Sequence, residues 1–233
     1  MEFVRKSMLI VLGQLLGTLV LTCGLEQIQL TWHWLQNSVL TWWIPLIPCV
    51  IACVLILWQL WAFYFQLVQL ARIILLTVFS ILCAFVVGET VVTFCYEDGI
   101  MVMAMVGSGF MGYYLYTLQV KHSFSGPGPW FLGMALICLT SLWLRMLFEQ
   151  DPLEILIPLS IAGVVCTYVL LDLYYIMGNS SVDEVILANV CLFVDVLYPM
   201  RCLHNICELS DNLNLLDVLY PGEPSTRSYA TQG

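Results

Sequence analysis

Asp172 and Asp195 stand where hydrocarbon is expected, one in each of two apolar runs joined by the polar turn Gly178 to Glu184. A carboxylate at the centre of a membrane helix costs about 2.5–3.5 kcal/mol on insertion scales, so it marks function by default. The two positions are 23 residues apart, with the polar turn between them. At about 1.5 Å per helical residue, both lie inside the membrane on antiparallel neighbours and can face each other across one interface. Two close carboxylates do not both ionise cheaply, so the pair is expected to share a proton. Protonated, it can stay shut through a carboxyl–carboxylate hydrogen bond. Losing the proton pushes the helices apart and leaves hard oxygen ligands suited to Ca2+. The plainer alternative is that each aspartate hydrogen-bonds a neighbouring helix and only fixes packing. These residues by themselves leave both readings open. Intramembrane aspartyl proteases also carry Asp on consecutive helices, but their YD and GxGD sequences are not both present: Leu171 precedes Asp172, and Phe193-Val194 precede Asp195. No enzyme is expected.

The rest of the chain must supply a membrane-embedded frame for that pair. Of 233 residues, 61% are apolar and 10% charged. A soluble domain carries about 25% charged residues, so the composition is that of a membrane protein. No Asp, Glu, Lys or Arg occurs from Gln27 to Ala71. The net charge of −9 gives no basic patch for nucleic acid or anionic lipid. Ten scattered cysteines, with no paired CxxC spacing, fit buried thiols filling gaps better than a zinc site or a disulfide framework.

Seven segments are long and apolar enough to span: about 7–25, 43–66, 71–94, 100–119, 130–148, 155–177 and 185–207. Their short connections predict one all-α membrane domain over 1–207, followed by a flexible polar tail over 208–233. The first run follows Arg5-Lys6 and is read as a retained span, since it lacks an A-x-A cleavage site. Trp32, Trp34, Trp42 and Trp43 fit an interfacial belt beside His33. If seven spans alternate, Arg5, Lys6, Arg72 and Lys121 share one face, which places the amino terminus in the cytosol. The opposite face collects Glu26, Glu97, Asp98, Glu149, Asp151 and Glu154, either as a cation-concentrating mouth or as a by-product of excluding basic residues.

Two accessory groups sit on the third span. Glu89 lies towards its far end, and Arg72 at its start either snorkels to the interface or reaches inward to an aspartate. Arg145 and Glu149, four residues apart, are placed to pair along a helix face. In the tail, Asp211 to Leu216 fits an acidic dileucine pattern only weakly, because an odd span count puts it outside the cytosol.

Several stretches resemble the transmembrane Bax-inhibitor-motif family, which includes Bax inhibitor and the Lifeguard proteins. LLDLYYIMGN (Leu170 to Asn179) resembles the element around the family's first aspartate, and DEVILANVCLFVDVLY (Asp183 to Tyr198) resembles its last span without a gap. VFSILCAFVVGETVVTFCYED (Val78 to Asp98), QVKHSF (Gln119 to Phe124) and VRKSMLIVLGQLLGT (Val4 to Thr18) extend the similarity over most of the chain. The resemblance implies a seven-transmembrane-helix bundle in intracellular membranes of the endoplasmic reticulum or Golgi. It also implies Ca2+ leak from stores through a gate at Asp172 and Asp195, with Glu184 as the acidic residue opening the last span, and suppression of apoptosis. Ca2+ would be the permeant or regulatory ion, with no permanently bound cofactor. Partners would be the bilayer and death-regulating or other membrane proteins of the cell or host. The chain departs from the family pattern at Tyr174, Cys191 and Tyr198, where the family has polar amides, and Pro199 can kink the last span. Such drift in a short chain resembles the seven-span homologues carried by cytomegaloviruses. The alternative function is a non-conducting membrane protein that modulates cell death or immune proteins by binding them.

Overall fold

Each apolar run folds as a helix because hydrocarbon offers no partner to backbone N–H and C=O groups, which must then bond within the segment. The computed structural model describes residues 2–31, 46–119, 124–179 and 185–197. The order is α1 (Glu2–Thr31), α2 (Leu46–Ala62), a 3-10 turn (Tyr64–Gln66), α3 (Gln69–Phe94), α4 (Tyr96–Leu118), α5 (Gly128–Phe148), α6 (Leu156–Asn179) and α7 (Val185–Leu197). All seven predicted runs contain a helix, and no strand occurs among the described residues. Trp32, His33, Trp34, Trp42, Trp43, Lys121, Glu184, Arg201 and the tail lie outside the described residues.

Five of these helices are long and apolar enough to cross a membrane. The second segment is described from Leu46 and ends earlier than predicted. It stops at Ala62, and the chain turns through Tyr64–Gln66 before α3 begins. The first segment is longer than predicted and starts at Glu2, where Glu2 and Lys6 pair at 2.8 Å on the exposed first turns.

α4 is the central helix, packed between α5, α1 and α6, and α7 packs on α1, α2, α6 and α3. The larger core joins Val4 and Met8 of α1, Met101, Met105 and Tyr113 of α4, and Cys166 and Leu173 of α6. A smaller core joins Leu57 and Leu60 of α2, Leu76 and Phe79 of α3, and Val190 of α7. Outside these cores, Leu16, Trp58, Ile81, Trp143 and Val164 are exposed. That belt exceeds what a soluble surface tolerates, and it is the face a bilayer covers.

α4 and α5 cross with almost no side chain between them. A Cβ on Gly112 would lie 2.9 Å from the Gly133 Cα, and one on Gly133 would run into the Tyr113 ring. Small residues at a membrane helix crossing allow close backbone approach and dense van der Waals contact. Tyr113 is itself fixed, since its hydroxyl donates to the Cys166 carbonyl of α6 at 3.1 Å.

Hydrogen bonds tie the helix ends that share one side. An Arg5 Nη donates to the Thr117 carbonyl in the last turn of α4 at 2.9 Å, where a cation also meets the negative end of the helix dipole. The Tyr174 hydroxyl of α6 donates to the Gly126 carbonyl before α5 at 2.8 Å. Gly126 has φ 75°, a conformation that side chains disfavour, so a glycine suits this turn.

Candidate functional site

Asp172 lies in the last third of α6, between Leu171 and Leu173, and is 5% exposed. Its neighbours along the helix Val169, Leu173, Tyr174 and Ile176 are all buried in the larger core. A carboxyl group is thus held inside the bundle, on a helix that packs against α7. The α7 backbone is described to Leu197, and position 195 falls on the helical stripe of Ala188, Cys191 and Leu192. Ala188 and Leu192 belong to the same core as Leu173. The Asp195 side chain and Glu184 lie outside the described residues. Among the described residues no group of three His, Cys, Asp or Glu side chains is placed to hold a metal ion.

The structure separates Arg72 from this site. Its Nε donates to the Leu67 carbonyl at 3.0 Å, and its guanidinium carbon sits 4.1 Å from the Tyr64 ring centroid. Arg72 therefore caps the turn ahead of α3 instead of reaching an aspartate, because carbonyl and ring lie within reach of its own helix start. Glu89, on the same helix, is half-buried, and α3 packs mainly on α1 and α2.

Arg145 and Glu149 do not form the predicted pair. The helix ends between them: Glu149 is left-handed (φ 52°) and its N–H bonds back to the Arg145 carbonyl. The Arg145 Nε turns to the Gln150 carbonyl at 3.4 Å. The thiols also differ from expectation. Cys166 is buried, but Cys95 and Cys138 are exposed, so gap filling does not account for all of them.

Part of the acidic face does converge. Glu97, Asp98, Gln150 and Glu154 line a cavity of about 430 Å³ where α3 turns into α4. Gln150 donates to Glu97 at 3.3 Å. Glu149 and Asp151 are not in the cavity wall.

Tyr174 is one residue that the sequence presented only as a departure. Besides bonding Gly126, its ring packs edge-on against Phe124 at 5.7 Å between centroids. It anchors α6, two residues beyond Asp172, to the α4–α5 connection. Replacing Tyr174 by Phe is expected to lower stability by about 1–2 kcal/mol, since one buried hydrogen bond is lost and a carbonyl is left without its donor. Thermal unfolding in detergent measures this, and an unchanged transition would show the bond to be dispensable.

The sequence also passed over a polar network between α1, α3 and α7. Gln14 Nε2 donates to Ser80 Oγ at 2.7 Å and to Asn189 Oδ1 at 3.2 Å. Asn189 Nδ2 donates back to Gln14 Oε1 at 3.1 Å, and Ser80 Oγ donates to the Leu76 carbonyl at 2.7 Å. Asn189 is fully buried. A polar residue in each of three apolar runs was the available signal, but only the packing shows that they meet.

A helical bundle with an interior carboxyl group and a lipid-facing apolar belt defines a multi-pass membrane protein. The chain belongs to the family described as "Inhibitor of apoptosis-promoting Bax1", whose match covers residues 1–211. It is 29% identical over 125 residues to protein lifeguard 4 of Mus musculus, covering 50% of this chain and 52% of that protein. It is 24% identical over 156 residues to protein LIFEGUARD 2 of Arabidopsis thaliana, covering 65% and 62%. The Golgi anti-apoptotic protein of vaccinia virus (strain Lister) is 25% identical over 138 residues, covering 56% and 58%. The matches thus span about half to two-thirds of those relatives. No solved structure matches the chain.

Proposed function

We propose that this protein is a Ca2+-permeable leak of intracellular membranes, gated by Asp172 and Asp195, and that it suppresses apoptosis by lowering stored Ca2+. The observation that carries the reading is Asp172, a carboxyl group 5% exposed in the core, on a helix packed against the one that bears Asp195. Burying such a group is costly, and ion pathways are where membrane proteins retain it. The acidic cavity at Glu97, Asp98 and Glu154 would raise the local cation concentration at one end of the bundle. Membership of a family described by inhibition of apoptosis supports the cellular outcome. The vaccinia relative's name supports a Golgi location. Arg5, Lys6 and Arg72 at the opposite end favour a cytosolic amino terminus. In this reading the protein conducts without catalysing a reaction, with the bilayer as its only obligatory partner.

Purified protein in liposomes loaded with a Ca2+ indicator tests this directly. Influx well above that of empty vesicles, together with reduced store Ca2+ in expressing cells, is the expected result. Absence of flux from folded protein at every pH sinks the leak reading. If survival of stressed cells still improved, the protein would act by binding death-regulating membrane proteins.

A further inference from the structure

We infer that the reciprocal amide pair Gln14–Asn189, with Ser80, is the latch that seats α7, and that these three are positioning residues for the aspartate gate. The inference rests on the gate reading above and concerns residues that never touch the ion. The pair closes on itself: each amide donates to the other's oxygen, at 3.2 and 3.1 Å, and the second Gln14 donor goes to Ser80 at 2.7 Å. One side chain from each of α1, α3 and α7 is thereby joined inside the bundle. Unpaired amides there would be costly, so the arrangement holds the three helices in one register.

A cavity of about 600 Å³ runs between α1 and α3, walled by Gly13, Gln14, Gly17, Thr77, Ser80 and Ile186 among others. A Cβ on Gly13 or Gly17 would meet nothing within 4 Å. α1 and α3 pack extensively along their length, and beside this cavity the polar tie adds a fixed register between them and α7. On α7, Asn189 lies on a different stripe from position 195, and the two are six residues apart, about 9 Å along the axis. Ala188 and Leu192, on the stripe of position 195, pack into the core that holds Leu173 of α6. A rigid helix gripped by Asn189 on one side therefore keeps the stripe of Ala188 and Leu192 seated in the core shared with α6 on the other. Releasing that grip lets α7 move from α6 and parts the two aspartates.

The test compares Ca2+ flux at one fixed, neutral pH for folded Gln14→Met, Asn189→Leu, the double variant, Ser80→Ala and the exchanged pair Gln14→Asn with Asn189→Gln. Gln14→Met and Asn189→Leu keep the side-chain size but cannot form the pair. Each is expected to raise resting flux at least threefold, with the double variant no worse than either alone. Ser80→Ala should have a smaller effect, and the exchanged pair should return flux towards wild type, a rescue that a general packing defect would not give. Wild-type flux from all folded variants overturns the latch. If the apolar variants do not fold, Ser80→Ala and the exchanged pair decide the matter by the same comparison. Asp172→Asn, run alongside, reports on the gate itself. Loss of the rise in flux at alkaline pH in Asp172→Asn, without any change in the amide variants, sinks the latch alone, whereas a pH response like that of wild type sinks the gate reading and the latch with it.

Discussion

Asp172→Asn is expected to abolish the pH response of Ca2+ flux, holding it at alkaline pH near the level that wild type shows in acid. Two unit charges about 4 Å apart repel by about 4 kcal/mol at an effective dielectric of 20, which is ample to move a gate. Only part of that energy reaches the open–closed equilibrium, and about 1.4 kcal/mol of it already gives a tenfold change. Under the proposed gate, raising the pH would ionise the second carboxyl group, and the repulsion would part the helices. An asparagine cannot ionise, and its amide can donate to the remaining carboxylate, so the pair stays shut as pH rises. A drop of about tenfold in flux at alkaline pH is therefore the expected outcome, with Asp195→Asn behaving alike and the double variant adding little. The measurement is liposome flux over a pH series. A variant whose flux still climbs with pH as wild type does would show that Asp172 only packs.

Gly112→Ala should damage the fold more than most other single-methyl additions in the bundle. Its Cβ would sit 2.9 Å from the Gly133 Cα and 3.2 Å from the Leu132 carbonyl oxygen, both backbone atoms that no rotamer change can move. α4 and α5 must then separate, and they carry the most extensive helix pairing among the described residues. Overpacking of this kind costs about 1–3 kcal/mol, and the lost van der Waals contact along the crossing adds to it, because lipid tails compete with apolar side chains on equal terms. Gly24→Ala is the internal comparison. Nothing lies within 4 Å of a Cβ there, and Ala is favoured over Gly in a helix by about 0.5–1 kcal/mol. Thermal unfolding followed by loss of the monodisperse peak should fall for Gly112→Ala and hold or rise for Gly24→Ala. Equal transitions would mean that the crossing tolerates expansion.

Much of the architecture is legible in the chain because a membrane removes the alternatives. Once Leu156 to Met177 is apolar and long enough to span, its backbone has no option but a helix. The anomaly of Asp172 is equally legible, since a carboxylate needs no structure to be out of place among leucines. Helix ends are less so. Ala62 stops α2 short, and Glu2 starts α1 early, because near the interface water competes for backbone bonds and apolar pattern no longer dictates the state.

What only the tertiary structure decided is which side chains meet. Composition alone marks Arg72 as a candidate for an aspartate, yet a carbonyl and a ring nearer to it take the guanidinium first. Gln14, Ser80 and Asn189 look unremarkable singly, and their significance comes from three helices meeting at one depth. Hydropathy reports the preference of each residue for lipid or water, a one-body quantity that the sequence carries in full. The amide latch, the glycine crossing and the seating of α7 are relations between residues up to 175 positions apart, and only packing fixes those distances.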